Sequence, residues 1–383
     1  MIFERYKAEV EAAKRIISSG GFAVVTHGGT AHADDTIASA LLYAAGAEAV
    51  YRLTQPEELL EVAARHKRVI YVDIGYKWYG ALKAAGEVAV LDHHAPNGEP
   101  EYVELPSSLL QTAEALGLRP RPRASLLLTA ADLVDRFGPS AKRWLGVYGS
   151  SLNYGLASYF GQEKGEVKDL KYLKAIVEAL ASDFDVQSFD EYSKAYASVS
   201  LPVDPEKYPR ALALARLMKL ASSGNVLAVA ISPDAFKSGF GVDFAAHAVL
   251  ANKALAEYVG KGLEKYFEES LKAIRLAESG RYTVVHGPVK AIAVEESVPP
   301  AALWNALLDL GALKEEEPAI IAVKDNRNQG AYTVWRPERH KDKIDFRRLE
   351  GGDVVFKHQS GFMAVLRAPS AEDAARAALE RIK

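Results

Sequence analysis

Over the first ninety residues, short apolar runs alternate with segments whose apolar positions recur at helical spacing. An amphipathic opening stretch (4–18) closes at Gly20-Gly21. FAVVT (22–26), AVYRL (49–53), RVIYVD (68–73) and EVAVL (87–91) follow; they are β-rich and too short for helices. Near-continuous apolar runs separated by helical segments predict βαβ units and a parallel sheet covered on both faces. From 105 to about 190 the spacing turns helical, through LPSSLLQTAEALGL, ASLLLTAADLVDRFG and DLKYLKAIVEALASDF. SVSLPVDPEKYP (198–209) places three prolines in twelve residues and reads as a boundary. A helix (209–222), a strand NVLAVAIS (225–232) and a long helical region (242–279) are expected next. Further strands are expected near 282–286, 290–295, 319–324, 330–336, 353–357 and 362–367. The expected organisation is an α/β domain over 1–197, a connecting segment and helix over 198–224, and a smaller α/β domain over 225–383 facing the first across a cleft.

Composition narrows the class. With 383 residues, 25% charged and 49% hydrophobic, the chain reads as globular with two cores; disorder, collagen and coiled coil are excluded. No apolar run approaches a membrane span, and the acidic opening helix is unlike a secretory leader, so a cytoplasmic protein is expected. Zero cysteines leave only histidine and carboxylate as strong metal ligands. A formal charge of -3 means that a nucleic-acid partner would have to meet a local basic patch. The lack of cysteine, with three methionines, fits a heat-adapted source.

Candidate chemistry gathers where the first strands end, the edge at which open parallel sheets bind ligands. FAVVT runs into His27-Gly28-Gly29-Thr30-Ala31-His32-Ala33-Asp34-Asp35, RVIYV into Asp73, and VAVL into Asp92-His93-His94. A single strand-end acid such as Asp73 is usually a cap or turn residue, and a lone histidine pair is often structural. Convergence at three strand ends is different, because acids and imidazoles crowded at one edge call for a ligand that neutralises them. Such a set can hold two divalent cations about 3.5–4 Å apart with one carboxylate bridging. Gly28-Gly29 permits close approach of a ligand, and a helix starting near Ala33 points its N-terminus there. Asp35 reads as a charge in that helix's first turn.

Asp92-His93-His94 resembles the signature of the DHH phosphoesterase superfamily, with His27 to Asp34 as its first motif and Asp73 as its second. Most members read His-x-x-x-Asp-x-Asp in the first motif; here His32 stands at the first Asp position with one residue more of spacing. That is similar to the branch of metal-dependent hydrolases or MYG-type exonucleases, as are ASLLLTAADLVDRFG, the ASDFD of 181–185 and VVFKHQSGF. The resemblance implies metal ligation by His27, His32, Asp34, Asp73, His93 and Asp183, with Asp73 bridging; Asp185 competes with Asp183 for the fourth motif. It further implies that Asp92 orients a histidine, that His94 faces the substrate phosphate, and that Asp73, Asp92, His93 and His94 form the catalytic set. Imidazole with carboxylate suits two Mn2+ ions best, with Co2+, Zn2+ or Mg2+ as alternatives.

In the second half, Lys357, His358, Ser360 and Gly361 partly match the superfamily's substrate-gripping loop. Upstream, DNRNQGAYTVWRPERHK carries Arg327, Arg336, Arg339, His340 and Lys341 around Tyr332 and Trp335, a mixture suited to phosphate contacts with base stacking. The same segment also reads as a basic hairpin with Trp335 packed on a core. Arg327, Trp335, Arg336, Lys357, His358 and Gly361 are the expected substrate contacts. His66, His247 and His286 read as structural. The expected activity is two-metal hydrolysis of phosphodiester bonds in single-stranded nucleic acid or short oligonucleotides. A pyrophosphatase-like phosphohydrolase and a catalytically degenerate binding module are the alternatives.

Overall fold

The computed structural model describes residues 2–94, 104–119, 122–137, 157–181, 203–204, 207–211, 253–358 and 360–382. These fall into two compact units, one holding 2–181 and 253–263, the other 203–211 and 264–382.

The first unit alternates helix and strand: α1 (Ile2–Ser19), β1 (Ala23–His27), α2 (Ala33–Ala44), β2 (Ala49–Leu53), α3 (Pro56–Arg65), β3 (Arg68–Val72), α4 (Tyr79–Ala85) and β4 (Glu87–Leu91). α5 (Ser108–Ala115), α6 (Pro122–Phe137), the two-residue β5 (Gly165–Glu166) and α7 (Leu170–Ala181) follow. The sheet runs β4-β3-β1-β2-β5, with β1 to β4 mutually parallel and β5 antiparallel at one edge. Residues of β1 and β3 such as Val24, Val25, Ile70 and Tyr71 are fully buried, so both faces of each strand are core, as continuous apolar runs require. The sequence pattern does not predict β5, because two residues carry no periodicity.

β4 is the other edge, and a polar contact seals it. Glu9 of α1 is buried and accepts hydrogen bonds from the Val90 N–H (2.8 Å), Lys83 Nζ (2.8 Å) and Tyr79 Oη (2.6 Å). The helix thereby satisfies an edge N–H that would otherwise face a core without a partner.

α8 (Lys253–Glu278) leads into the second unit, with β6 (Thr283–Val285), β7 (Lys290–Val294), α9 (Pro300–Asp309), β8 (Ala319–Lys324), β9 (Ala331–Trp335), β10 (Val354–Lys357), β11 (Met363–Arg367) and α10 (Ala371–Arg381). Its sheet runs β10-β11-β9-β8-β7-β6, antiparallel throughout except for β7 and β8. Alternation sorts its two faces: Ile292, Val294, Ile321 and Val323 pack with Ile274 of α8 and Leu303 of α9, while Ala291, Ala293, Ile320 and Ala322 pack with Ala374 and Ala378 of α10. On the outer strand β10, the register shifts between Val354 and Phe356, a bulge that leaves Val355 and Phe356 exposed.

The strands expected at 49–53, 87–91 and 319–324 match residue for residue, and the other described ones differ by one or two residues at their ends. The strand 225–232 and most of the helix 209–222 lie outside the described residues. None of the described helices is long and apolar enough to cross a membrane.

Glu9→Ala strands the Val90 N–H, while Lys83 keeps its bond to Val88 O. It is expected to cost about 2 kcal/mol, the scale for a buried donor left without an acceptor. Urea unfolding checks this; Glu9→Gln should lose less.

Candidate metal centre

β1 ends in His27, Asp73 follows β3, and Asp92-His93-His94 follows β4. Because β3 lies between β4 and β1, Asp73 emerges between His27 and the paired histidines. β1 continues outward to β2 and β3 outward to β4, so the edge between them is a topological switch point, the usual ligand site of an open α/β sheet.

Asp73 faces both sides at once. Its Oδ2 lies 3.3 Å from His27 Nε2, while Oδ1 lies 3.4 Å from His94 Nδ1 and 3.7 Å from His93 Nε2. Its backbone is the one non-glycine left-handed conformation among the described residues, with φ at 58°. Aspartate tolerates that region better than most side chains, and such outliers persist where surroundings fix them. Here the Asp73 N–H donates to Leu91 O at 3.0 Å, which helps hold the turn.

Three groups of side chains can bring ligand atoms within 4.8 Å of one another: His27, His32 and Asp73; Asp73, His93 and His94; and His32, Asp34, Asp73 and Asp135. Asp73 is common to all three. Asp34, on α2, is buried and accepts a 2.7 Å hydrogen bond from Ser108 Oγ of α5. Asp35 is more than a charge in a helical turn. It too is buried, and its oxygens accept from the His32 N–H (2.7 Å) and Thr26 Oγ1 (3.1 Å), fixing the start of α2 to β1. Asp92 holds His94, accepting from its N–H at 2.9 Å and lying 2.7 Å from its Nδ1. His93 is buried and His94 is 40% exposed.

Asp135 is the site residue that sequence reasoning missed. It projects from α6 to 3.0 Å from His93 Nε2 and 3.9 Å from His32 Nδ1. Asp183 and Asp185, expected as fourth-motif acids, lie outside the described residues. A signal for Asp135 existed: it follows Asp132 by three residues in an otherwise apolar stretch of helix, so the two acids lie on neighbouring turns of one side. Asp132 is structural, accepting from the Ser107 N–H at 2.7 Å and from Arg136.

So many carboxylates cannot all be charged in so little space. Burial, then the Asp135 and Asp35 carboxylates, push Asp34 well above the usual carboxylate range. Burial, then Asp34, Asp135 and Asp92, do the same to Asp73. Burial also raises Asp92, but the charge and hydrogen bonds of His94 outweigh it and hold the carboxyl below its usual value. Burial lowers His27, leaving a neutral ring suited to ligation. Among the described residues, His27 Nε2, Asp34 Oδ1 and Asp73 Oδ1 are buried with no hydrogen-bond partner. Buried acceptors without donors, amid mutually repelling acids, fit divalent cations bound by imidazole and carboxylate.

The expected basic and aromatic cluster of the second unit is largely turned inward. Arg336 is buried and donates to Ile344 O (2.6 Å), Ser360 O (3.3 Å) and Glu338 Oε2 (3.2 Å), so it braces three loops. Trp335 packs on the core beside α8 and α9, and Tyr332 is buried with its hydroxyl on Glu295. His340 is buried against Trp304 and contacts Glu315 O at 3.0 Å. Arg339 pairs with Glu315 at 3.0 Å, and Arg327 lies 3.7 Å from Asp325. Of the expected substrate contacts, Arg336 is buried among loop carbonyls and Glu338, and Trp335 is partly buried against the core. Lys357 donates to Arg347 O, and His358 Nδ1 lies 2.9 Å from Ser360 Oγ. Gly361 has φ at 67° and no room for a Cβ beside Asp345. His66 contacts Tyr51 Oη at 3.0 Å, consistent with a structural role, and His247 lies outside the described residues.

Neither a protein-family model nor a curated protein matches the chain. Among solved structures it is similar to RecJ from Thermus thermophilus in complex with Mn2+, at 18% identity over 98% of this chain and 54% of RecJ, with a TM-score of 0.45. It is similar to the DHH domain of a protein assigned to a ribosomal protein family, at 15% identity over 96% of this chain and 88% of that one, TM-score 0.45. CDC45 from Entamoeba histolytica is similar at 10% identity over 95% of each chain, TM-score 0.33. The chain spans about half the length of the RecJ that it matches.

Asp73→Asn separates charge from shape, since asparagine accepts the left-handed backbone. Without metal, the wild-type carboxylate, its folded pKa raised, costs stability once pH exceeds the ordinary aspartate value, and increasingly so up to the raised value. The variant should therefore match wild type in strong acid and exceed it by a margin that widens as pH rises above the ordinary aspartate value. It should also lose the rise in melting temperature that manganese gives wild type. Thermal melts with chelator and with manganese, across pH, check both.

Proposed function

We propose that this chain is a divalent-metal-dependent phosphoesterase of the DHH superfamily, hydrolysing phosphodiester bonds at the ends of single-stranded nucleic acid or in short oligonucleotides. The observation that carries the reading is the two-sided carboxylate of Asp73, one oxygen toward His27 and the other toward His93 and His94. In this reading His27, His32, Asp34, Asp73, His93 and Asp135 hold two cations, Mn2+ by preference. Such cations supply a water acidic enough to attack phosphorus near neutral pH and positive charge for the phosphoryl oxygens.

The chain's own groups supply the rest. Burial keeps His27 neutral, and Asp135 faces His93 Nε2. Asp92 fixes the His94 ring at the exposed side, and we assign His94 to a substrate phosphate. In the second unit we assign Arg327, Lys357 and His358 to contacts with nucleic-acid phosphates, with Gly361 shaping the loop. Arg336 braces the loop after Lys357 and His358 through its hydrogen bond to Ser360 O. A pyrophosphatase-like reading needs a dense cage of free lysines and arginines, and Arg52, the cation that touches the first-motif loop among the described residues, is buried on backbone carbonyls.

With manganese, the protein should shorten labelled single-stranded RNA or DNA, and cleave pyrophosphate and a small generic phosphodiester more slowly. Asp135→Asn should lower turnover and manganese affinity, each by about 10–100-fold, with the fold retained. Cleavage of pyrophosphate alone would replace the oligonucleotide substrate. Binding of oligonucleotide without hydrolysis under any metal would replace the enzyme by a binding module. Trp335→Ala should lower thermal stability, by about 1–2 kcal/mol for an aromatic partly buried against a core.

A further inference from the structure

A buried arginine in the middle of a parallel sheet is costly unless it performs a task that water could not. Arg52 of β2 is 2% exposed and stands beside Thr26 in the sheet register. Its hydrogen bonds to the described residues go to main-chain oxygens. Nη2 donates to His27 O at 2.9 Å and to Gly29 O at 3.2 Å, Nε to His27 O at 3.3 Å, and Nη1 to Phe160 O at 2.6 Å. The guanidinium also lies 4.8 Å from the centre of the Phe160 ring.

Two of those carbonyls, His27 O and Gly29 O, belong to the loop that carries His27 and leads to His32. Gathering His27 O and Gly29 O on one guanidinium fixes the curvature of the intervening peptide, and the Gly28 N–H is held to Leu53 O at 2.7 Å on the same strand. Phe160 O ties the loop's far side to the turn at 158–160, where Gly161 packs so closely that a Cβ would lie 3.4 Å from the Ala31 N. His93 and His94 follow β4, two strands away from β1, and share none of these contacts.

Resting on the metal reading above, we infer that Arg52 is a positioning residue for one cation of the pair: it sets the His27–His32 side and leaves the His93–His94 side unaffected. The planar fork, with donors along two edges, can span three carbonyls where a lysine ammonium on a flexible stem cannot. Arg52→Lys should therefore loosen one side of the centre selectively while keeping the charge.

Manganese binding by calorimetry and electron paramagnetic resonance tests this. Wild type should bind two ions per chain with the broadened signal of a coupled pair. Arg52→Lys should bind one as tightly and the other about tenfold or more weakly, with the signal of an isolated ion. Gly28→Ala crowds the same loop without touching Arg52, because its Cβ would lie 2.7 Å from Thr54 Cγ2 and 3.4 Å from the Leu53 carbonyl carbon, and it should show the same one-site loss even if Arg52→Lys does not fold. Combined with His27→Ala, Arg52→Lys should add nothing to the loss; combined with His93→Ala it should weaken both ions. Unchanged binding of both ions in Arg52→Lys, equal weakening of both, or additivity with His27→Ala overturns the inference. A wild-type protein that binds no manganese overturns instead the metal reading on which it rests.

Discussion

Mutual repulsion among acids at one edge of a sheet is the constraint around which the first unit is organised. Asp34, Asp73, Asp92 and Asp135 arrive from a helix, two strand ends and a second helix, and each is held by a different device. Ser108 holds Asp34 and His94 holds Asp92. Asp73 is held by its backbone, and Asp135 stands against His93. None of these contacts removes the excess negative charge. A divalent cation does, and His27, kept neutral by burial, stands on the flank of the acids as a ligand would.

Topology makes that crowding possible. A chain that lays β2 to one side of β1 and β3 to the other brings two strand ends together with their following loops diverging, so the space above β1 and β3 is open to side chains from both. The acid on the central strand then sees both flanks, while those on outer elements see one. The sheet order, more than any single motif, gives Asp73 its two-sided position.

Much of this was legible in the sequence, and the exceptions have physical reasons. β1 to β4 are readable because buried parallel strands must be apolar on both faces, and strand-end polar residues then stand out against them. In the second unit, alternation of Ala291 to Val294 and of Ala319 to Val323 between two cores leaves the same kind of signature. Asp135 left only its spacing from Asp132 as a signal, because a helix displays acids for many reasons and that spacing does not say which face meets a sheet edge. Arg336 and Trp335 are ambiguous in the sequence for the opposite reason: side chains suited to phosphate and base are equally suited to bracing loops and packing on a core. Only the strands around them decide which.

The bulge on β10 bears on how this chain behaves in company. An outer strand with exposed Val355 and Phe356 offers apolar side chains beside an open sheet border, the combination that recruits a further strand from another molecule. The register shift between Val354 and Phe356 breaks the even ladder such a strand would need, and at the opposite border β6 is only three residues long. Among the described residues, both borders of the six-stranded sheet therefore make poor templates for a further strand, which lets β10 carry exposed apolar side chains.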